Sequence, residues 1–310
     1  MRALLADRGT PAGIRLGTVA DPDPAPSEAL VRTVALSLNF GETELLADSA
    51  DGAVPGWEAA GIVERQAADG SGPAAGTPVV LVTAGGGSWA ELVAVPTAGV
   101  LAEVPAGADL GAMSTVPVAA ASALRALHRT GPLLGRRILV TGATGGVGRY
   151  AVQLARLGGA HVLASTGSPD VHGESLVRLG AHEVVAGPGA FEGEVHGVLD
   201  TVGGSQLVAA FDRLAAHGVL VSVGHASGEP DRFPQGALIG IPGRHDRSIV
   251  TFFLGDESGI GPDLAWLVRQ VATGVLDPQI SWRGSWESAA EALVALRERR
   301  LHGKAVLEVR

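Results

Sequence analysis

Residues 136–148 read Arg-Arg-Ile-Leu-Val-Thr-Gly-Ala-Thr-Gly-Gly-Val-Gly, and this stretch decides the fold class. Strand-forming residues run directly into glycines, and a helical pattern, Arg-Tyr-Ala-Val-Gln-Leu-Ala-Arg-Leu, follows at residues 149–157. Glycines permit a tight turn, and the start of a helix presents free N–H groups and a positive dipole end to an anion. The order of strand, glycine loop and helix therefore predicts a site for a dinucleotide pyrophosphate, with a ligand-free glycine turn as the alternative. The predicted contacts are Thr144, Gly145, Gly146, Val147 and Gly148.

The sequence around this loop predicts a doubly wound parallel α/β sheet. Short apolar runs suited to buried strands recur at 137–141, 160–164, 182–185, 197–200 and 218–223. Helical patterns lie between them, at 147–157, 173–179 and 205–215. Alternation of short buried strands with helices is typical of a parallel sheet. A further β-rich stretch follows at 248–254.

The first hundred or so residues indicate irregular β structure instead. Apolar runs at 30–37, 60–64 and 78–83 are separated by proline and glycine clusters that suit turns. After residue 255 we expect helices at 262–272 and 285–297 and a last strand at 304–309. A chain of 310 residues is long enough for two domains.

Composition excludes several classes of protein. With 46% hydrophobic and 18% charged residues the chain is globular, and without cysteine it has no disulfide, thiolate metal site or cysteine nucleophile. The net charge of −9 and a single lysine offer no footprint for nucleic acid. The N-terminus reaches an acid and a second arginine before a signal-peptide core forms, and no stretch approaches the ~20 uninterrupted apolar residues of a membrane helix. We therefore expect a cytoplasmic protein with neither a nucleic-acid nor a membrane partner.

The second predicted strand ends in small hydroxyl residues, which bear on the identity of the cofactor. An NAD site usually places Asp or Glu here for the ribose 2′-hydroxyl, but no acid occurs before Asp170. Ser165, Thr166 and Ser168 leave room for a 2′-phosphate, and Ser168-Pro169 suits a helix start. No arginine or lysine lies between 157 and 177. These residues favour NADPH over NADH.

Seven segments, taken in order, resemble the zinc-independent quinone oxidoreductases of the medium-chain dehydrogenase/reductase superfamily over nearly the whole chain. Leu-Asn-Phe-Gly-Glu at 38–42 resembles the family's Asn-Phe-x-Asp segment, and Pro-Gly-Trp-Glu-Ala-Ala-Gly at 55–61 its Pro-Gly-x-Glu segment. Gly-Ser-Trp-Ala-Glu at 87–91 matches a Gly-x-Tyr/Trp-Ala-Glu segment. Residues 122–124, 200–204, 224–228 and 303–307 follow in the family's order.

The resemblance implies a GroES-like β domain from residues 1–112 and 256–310, and a Rossmann nucleotide-binding domain from 113–255. It also implies catalysis between the two and a homodimer in which residues 248–254 pair with their copy across a two-fold axis. The implied catalytic residues are Asn39, Trp57, Trp89 and Ser122. Beyond the loop and hydroxyl residues, the implied cofactor contacts are Asn39, Ser122, Val202, Gly224, His225, Ala226, Phe252, Phe253, Leu254 and Lys304.

The resemblance also implies that zinc is absent. Zinc alcohol dehydrogenases of the superfamily hold their catalytic metal with two cysteines and a histidine, and the matching positions are Asn39, Trp57 and approximately Val118. An amide, an indole and an isopropyl group do not form a zinc site. The nine histidines are dispersed in sequence, with no close pair at metal-ligand spacing. We therefore expect no bound metal.

Without a Lewis acid, reduction of a simple ketone needs an acid/base side chain, and the only tyrosine, Tyr150, falls in the predicted cofactor helix, where packing is expected. A quinone or enone is less demanding, since its conjugated carbonyl already accepts charge. We expect hydride transfer from NADPH to such an acceptor, an activity of the EC 1.6.5 or 1.3.1 type, with the proton taken from water or the cofactor ribose. Asn39 would anchor the ribose or polarise the acceptor. Trp57, Trp89 and Phe253 are either an aromatic wall for the substrate or core aromatics.

Departures from the family pattern keep two alternatives open. Glu42 replaces the family's aspartate, Thr43 and Glu44 stand where many relatives have tyrosine, and the loop at 46–55 is short. An enoyl-thioester reductase of the polyketide type would favour a basic patch, of which only Arg232, Arg244 and Arg247 are candidates. A non-catalytic NADPH sensor is the other alternative, and Asn39, Ser122 and Gly146 argue against it.

Overall fold

The computed structural model describes residues 1–83 and 85–310. Its strands are β1 (Arg2–Ala6), β2 (Ile14–Thr18), β3 (Glu28–Leu38), β4 (Glu58–Arg65), β5 (Pro78–Val82), β6 (Leu92–Pro96), β7 (Leu101–Glu103), β8 (Arg137–Val140), β9 (His161–Ser165), β10 (Glu183–Val185), β11 (Val195–Asp200), β12 (Leu214–Ser222), β13 (Ser248–Thr251), β14 (Ile280–Ser285) and β15 (Lys304–Glu308). Its α-helices are α1 (Phe40–Asp48), α2 (Leu110–Met113), α3 (Ala121–Arg129), α4 (Gly146–Leu157), α5 (Pro169–Arg178), α6 (Gly204–Asp212), α7 (Gly261–Ala272) and α8 (Ala289–Arg297).

The chain forms two compact units. Unit 1 comprises Met1–Ala121 and Leu254–Arg310, and unit 2 comprises Ser122–Phe253. The domain boundaries predicted from the sequence fall before residues 113 and 256. Residues 113–121 fall in unit 1 because the π-helical turn Val116–Ala120 packs on β4, β5 and α7.

Unit 1 is built on a mixed sheet with strand order β14-β15-β3-β4-β5-β7, in which β6 also pairs with β3. The C-terminal strand β15 runs antiparallel to β3 and parallel to β14, so segments from both parts of the chain share one sheet. Its core contains side chains from these strands together with Trp89 and Trp286. This arrangement, with helices at its edges, is the GroES-like half of the predicted fold class.

Unit 2 contains a six-stranded sheet in the order β10-β9-β8-β11-β12-β13, and each neighbouring pair is parallel. In chain order within the unit this is 3-2-1-4-5-6, the order of a dinucleotide-binding Rossmann sheet. Leu139, Leu163, Val198 and Leu220 are fully buried on its central strands, because helices cover both faces of a parallel sheet. The predicted fold class is confirmed.

Three predicted elements have different boundaries in the structure. The helix predicted at 205–215 ends at Asp212, since β12 begins at Leu214. The helix predicted at 285–297 starts with a 3₁₀ turn, where the Ser285 side chain accepts from the N–H of Glu287, before α8 begins. The strand predicted at 248–254 ends at Thr251, and it forms one edge of the sheet of unit 2.

One stretch has the length and mean hydropathy of a membrane helix, although polar residues such as Ser114, Thr115 and Arg125 interrupt it. Leu110–Arg129 spans 20 residues with a mean hydropathy of 1.3, so length and composition alone would allow it to cross a bilayer. In the structure 78% of that stretch's most apolar window is buried inside the protein. A buried core segment of a globular protein passes the same test, and the burial favours that explanation.

Candidate functional site

The glycine loop of unit 2 has the geometry of an anion cradle. Gly142 adopts the left-handed backbone (φ 57°), and its carbonyl accepts from the N–H of Gly145 at 2.9 Å. A Cβ on Gly148 would lie 2.3 Å from that same carbonyl oxygen, so the close packing of α4 on the loop requires glycine there. The first N–H groups of α4 have no acceptor within an α-helix, and they point out of its N-terminus.

Gly145 differs from Gly148. It is exposed, and among the described residues a Cβ on it would approach one atom, the Gly142 carbonyl oxygen, at 3.4 Å. Packing within the protein therefore tolerates a side chain at Gly145, and the glycine leaves the space beside the loop open to a ligand. Thr144, Gly146 and Val147 are partly exposed beside it. Tyr150 is fully buried in α4, in line with the expected packing role.

A buried carboxylate fixes the neighbouring strand ends. Asp200, at the end of β11, accepts from the Thr141 hydroxyl at 2.5 Å and from the Gly203 N–H at 2.9 Å. The Thr141 hydroxyl oxygen in turn accepts from the N–H of Thr201 at 3.1 Å. Burial raises the pKa of the Asp200 carboxyl above its usual range, partly offset by these hydrogen bonds. Asp200 thus ties the end of β8 to the turn that carries Val202.

Most predicted cofactor residues of unit 2 meet at this carboxyl edge of the sheet. The N–H of Gly224 donates to the Asp200 carbonyl at 3.3 Å, and the N–H of Ala226 donates to the Thr201 carbonyl at 3.2 Å. His225, between them, lies 3.3 Å from the Asp231 carboxylate. Since these hydrogen bonds join the ends of β11 and β12, the segments at 201–204 and 224–226 form one surface.

The hydroxyl residues after β9 lie at the same edge. The Thr166 hydroxyl accepts from the N–H of Ser168 at 3.3 Å, and both Ser165 and Thr166 are buried. Ser168 is the N-cap of α5, yet within residues 1–83 and 85–310 its hydroxyl makes no cap hydrogen bond. The exposed Ser168 hydroxyl is therefore available to a ligand.

The other predicted contacts are spread over both units. Ser122 is buried at the start of unit 2. Phe252, just after β13, lies under the Arg129 guanidinium at 4.9 Å from its ring centroid, whereas Phe253 is 63% exposed. Leu254 belongs to unit 1.

Unit 1 holds a buried polar cluster centred on Glu58, the first residue of β4, which is 0% exposed. Glu58 Oε1 accepts from the Ser37 hydroxyl at 2.5 Å, the Asn39 amide at 2.8 Å and the Lys304 ammonium at 3.0 Å. Glu58 Oε2 accepts from the N–H of Val118 at 2.7 Å. Four donors therefore hold a single carboxylate, which compensates for its loss of hydration.

Lys304 is predicted from sequence as a cofactor contact, and the structure gives it a different set of partners. It is 2% exposed, and its Nζ donates to the Leu38 carbonyl at 3.1 Å and to the Asn39 side-chain oxygen at 2.7 Å as well as to Glu58. All three ammonium protons have acceptors inside unit 1. This placement favours a role in positioning Asn39.

Asn39 is consequently held at both ends of its amide, since the oxygen faces Lys304 and the nitrogen faces Glu58. Its backbone N–H donates to Glu42 at 2.7 Å, which is half of a capping box at the start of α1. The second oxygen of Glu42 accepts from the N–H of Trp57, also at 2.7 Å. Burial, and then the neighbouring Glu58, raise the pKa of Glu42 to about 8, so this carboxyl is mainly protonated at neutral pH.

The two tryptophans predicted as catalytic differ in location. Trp57 is partly exposed and packs its indole against Gly41, where a Cβ would lie 2.9 Å from the ring. Trp89 is 0% exposed within the core of unit 1, and among the described residues its indole N–H has no hydrogen-bond partner. The burial of Trp89 favours the alternative that it is a core aromatic.

Comparisons with known proteins agree with this geometry. A family model described as zinc-binding dehydrogenase matches residues 179–307. The chain is similar to the chloroplastic quinone-oxidoreductase QR1 of Triphysaria versicolor, with 33% identity over 204 residues, which is 60% of each protein. It is also 29% identical over 226 residues, 66% of this chain and 9% of the relative, to the highly reducing polyketide synthase azaB of Aspergillus niger.

The quinone oxidoreductase structure from Coxiella burnetii superposes with a TM-score of 0.84 at 22% identity, covering 100% of this chain and 99% of that one, and supports the fold. The fold and these matched segments are thus similar to those of the medium-chain dehydrogenases/reductases. The matched region spans about three-fifths of the quinone-oxidoreductase relative, 60% of its length.

The residues present fit a nicotinamide dinucleotide. The glycine loop, the Asp200-anchored turn and the segment at 224–226 all lie at the carboxyl edge of the Rossmann sheet, where this superfamily fold binds dinucleotides. Gly145 leaves open the place where a phosphate approaches, and α4 directs its free N–H groups there.

The residues present do not fit the catalytic zinc of zinc-binding members. The positions matched to the metal ligands, Asn39, Trp57 and Val118, offer an amide, an indole and a backbone N–H that already donates to Glu58. The Lys304 ammonium beside Glu58 also places a positive charge where a cation would have to enter. The cluster therefore lacks the ligands for a catalytic zinc ion.

Sequence reasoning missed several residues of these sites. Glu58 and Asp200 were noted only as parts of segments, although a carboxylate directly at the end of a buried strand is a signal for a structural anchor. The histidines are dispersed in the sequence, but the fold brings some of them together in space. His161 and His182 stack with ring centroids 4.4 Å apart, and the rings of His217 and His245 lie 5.0 Å apart.

Proposed function

We propose that this protein uses NADPH to reduce a quinone or the activated C=C bond of an enone, without a metal. The observation that supports the proposal is the Glu58–Lys304 pair, which fixes the amide of Asn39, a residue that the resemblance matches to a metal ligand of the zinc enzymes. A carbonyl acceptor at such a site receives hydrogen bonds and positioning, and no Lewis acid. Conjugated acceptors need no more than this.

The bound cofactor supplies the hydride. The residues of the chain then have three tasks: the glycine loop holds the pyrophosphate, Ser122 contacts the nicotinamide amide, and Asn39 orients the ribose or the acceptor. Lys304 and Glu58 occupy the oxygen and one proton of the Asn39 amide. The amide nitrogen also lies 3.4 Å from Glu42 Oε2, and a ligand at Asn39 would replace this long contact. The proton that completes the reduction comes from water or from the ribose hydroxyl.

The preference for NADPH rests on the exposed, uncapped Ser168 at the start of α5 and on the hydroxyl residues before it. A helix N-terminus with a free hydroxyl suits the 2′-phosphate. Ser168→Asp places a negative charge there and should shift the ratio of NADPH to NADH affinity towards NADH, measured by fluorescence titration. Ser175→Asp, on the same helix, is the matched control, and an unchanged ratio in Ser168→Asp contradicts the placement.

Reduction of an enoyl thioester is a second candidate, and the similarity to a highly reducing polyketide synthase over 66% of the chain favours it. Cofactor oxidation by the NADPH-bound protein with simple quinones, enones and enoyl-CoA separates the two candidates. Binding of NADPH without turnover of any acceptor identifies a sensor instead. Asn39→Ala should lower turnover with the best acceptor, and unchanged turnover removes the proposed role of Asn39.

We also propose a homodimer formed by the β13 edge of unit 2. Large apolar side chains are exposed on or near this edge, namely Leu238, Ile239, Ile241, Ile249 and Phe253. An unpaired strand edge beside an apolar patch is a suitable surface for a second copy of the chain. A cytoplasmic location stays a prediction, and the name of the Triphysaria relative places that protein in the chloroplast.

A further inference from the structure

Two histidines and an aspartate meet on the surface of unit 2, at the amino ends of β12 and β13. His217 lies in β12, and His245 and Asp246 directly precede β13, whose pairing with β12 begins at Ser248. His245 Nδ1 lies 2.9 Å from Asp246 Oδ2, and His217 Nδ1 lies 3.6 Å from the same oxygen. The cluster is therefore at the sheet edge opposite the glycine loop.

We propose that His217, His245 and Asp246 bind one divalent transition-metal ion of the zinc type. Imidazole nitrogen and carboxylate oxygen are ordinary ligands of zinc, at about 2.0–2.2 Å, so two ligands of a tetrahedral ion are about 3.4 Å apart. The two measured distances, 2.9 and 3.6 Å, lie on either side of that separation. One ligand atom from each residue lies within 4.8 Å of the others, and all three residues are exposed, so water fills the remaining coordination positions.

The backbone holds the three residues in place without the ion. The N–H of His217 donates to the carbonyl of His245 at 3.1 Å, which joins the two segments directly beside the side chains. His217 and Asp246 both adopt the left-handed backbone, with φ of 62° and 55°. Non-glycine residues rarely keep this conformation, and here it occurs at two of the three ligands. The site is thus arranged before an ion arrives.

Neighbouring positive charges are directed elsewhere. Arg244 pairs with Asp212, and Arg247 lies over the ring of Phe211, 4.5 Å from its centroid, while donating to the Phe211 carbonyl. Neither guanidinium is placed to neutralise Asp246. The carboxylate therefore remains available to a cation.

The other histidine pair of unit 2 shows what an unsuitable site looks like. His182 Nδ1 accepts from the N–H of Val162 at 2.9 Å, and Arg156 Nη1 lies 2.7 Å from His182 Nε2. Both nitrogens of His182 face donors, and a guanidinium stands beside the ring. His182 consequently has no lone pair free for a metal ion, unlike the residues of the cluster at His217.

An ion at this cluster would tie the long connection after β12 back to the strand from which it starts. An ion that binds only to the folded chain stabilises the segments that its ligands hold together. We expect Zn²⁺ to stabilise the segment around 241–251 and to leave the glycine loop unchanged. The inference is independent of the proposed function.

Isothermal titration of the untagged full chain with ZnCl₂ tests the site. We expect one Zn²⁺ per chain, with binding weakened at least about tenfold in His217→Asn and in His245→Ala. Asparagine at 217 tolerates the left-handed backbone, so the fold is kept. His128→Ala, which removes an exposed histidine of α3, is the matched control and should bind as the wild type does.

Hydrogen exchange of the wild-type chain gives a second readout that depends on no variant. Zn²⁺ should slow exchange of the amides at 241–251. The proposal is overturned by the absence of saturable binding, by unchanged affinity in both ligand variants, by loss of binding in His161→Ala instead, or by zinc-induced protection confined to another part of the chain.

Discussion

Replacement of Lys304 by methionine tests the buried cluster of unit 1 most directly. Methionine keeps the length and apolar stem of the side chain but removes the ammonium, which donates to Leu38, Asn39 and Glu58. Glu58 is then left without its only ion-pair partner in the cluster. Glu42 beside it is uncharged for the most part, because burial raises its pKa to about 8.

The magnitude follows from these contacts. Removal of one partner from a buried ion pair costs about 3–5 kcal/mol of folding free energy. The Ser37, Asn39 and Val118 donors remain with Glu58 and reduce the penalty. We therefore expect a loss of about 3 kcal/mol, at the lower end of that range.

Urea unfolding followed by tryptophan fluorescence is the suitable assay. All five tryptophans, at 57, 89, 266, 282 and 286, lie in unit 1, so the signal reports on the unit that contains Lys304. Arg300→Met is the matched control, since Arg300 pairs with Glu298 at 2.7 Å and both side chains are more than half exposed. Exposed pairs contribute about 0–1 kcal/mol, so the control should unfold almost as the wild type does.

Combination with Glu58→Gln isolates the pair. If the ammonium and the carboxylate stabilise each other, the double variant loses about 1–3 kcal/mol less than the sum of the two single losses. A loss in Lys304→Met no larger than that in Arg300→Met would refute the reasoning. Strict additivity in the double variant would refute it too, because it would mean that the two charges do not interact.

Three further predictions concern other parts of the molecule. Glu42 has a folded-state pKa raised from 4.5 to about 8, so its contribution to stability is lost as pH rises between those values, and Glu42→Gln should flatten the wild-type decline in unfolding free energy over that range. Gly145→Ala should keep the urea midpoint and weaken NADPH binding in a fluorescence titration, whereas Gly148→Ala should lower the stability of unit 2, and equal behaviour of the two variants would contradict the loop geometry. Ile249→Asp, on the exposed β13 edge, should convert a dimer into a monomer in light-scattering chromatography, and a wild-type monomer would remove the proposed interface.

The features that could be predicted from sequence are those that depend on residues adjacent in the chain. The strand, glycine loop and helix at 137–157 were predicted nearly residue by residue, since each step depends on adjacent residues. The hydroxyl residues 165–168 lie at the end of β9, the strand predicted from the apolar run at 160–164. In each case a few consecutive side chains carry the signal, and the parallel sheet gathers the strand ends on one edge.

The rest depends on contacts between distant residues. Lys304 and Glu58 meet because β15 pairs with β3, which in turn pairs with β4, and composition gives no sign of that register. From the sequence, Lys304 was therefore only a cofactor contact implied by the resemblance. His217 and His245 are brought together by the return of the chain before β13. Trp89 looked like a site aromatic because its burial is decided by the sheet around it.

The geometry around Glu58 also explains why the chain's only lysine stands at position 304, whereas the other 22 of its 23 lysine and arginine residues are arginine. The acceptors are a backbone carbonyl, an amide oxygen and a carboxylate oxygen at 2.7–3.1 Å from one nitrogen. An ammonium offers three donors from a single compact atom, whereas a guanidinium spreads its donors in a plane and needs more room. The pocket is fully buried, so that room does not exist. The Lys304 ammonium donates to the Asn39 amide oxygen and also neutralises the charge of Glu58. A substitution at Lys304 therefore changes the position of the Asn39 amide and the net charge of the cluster together.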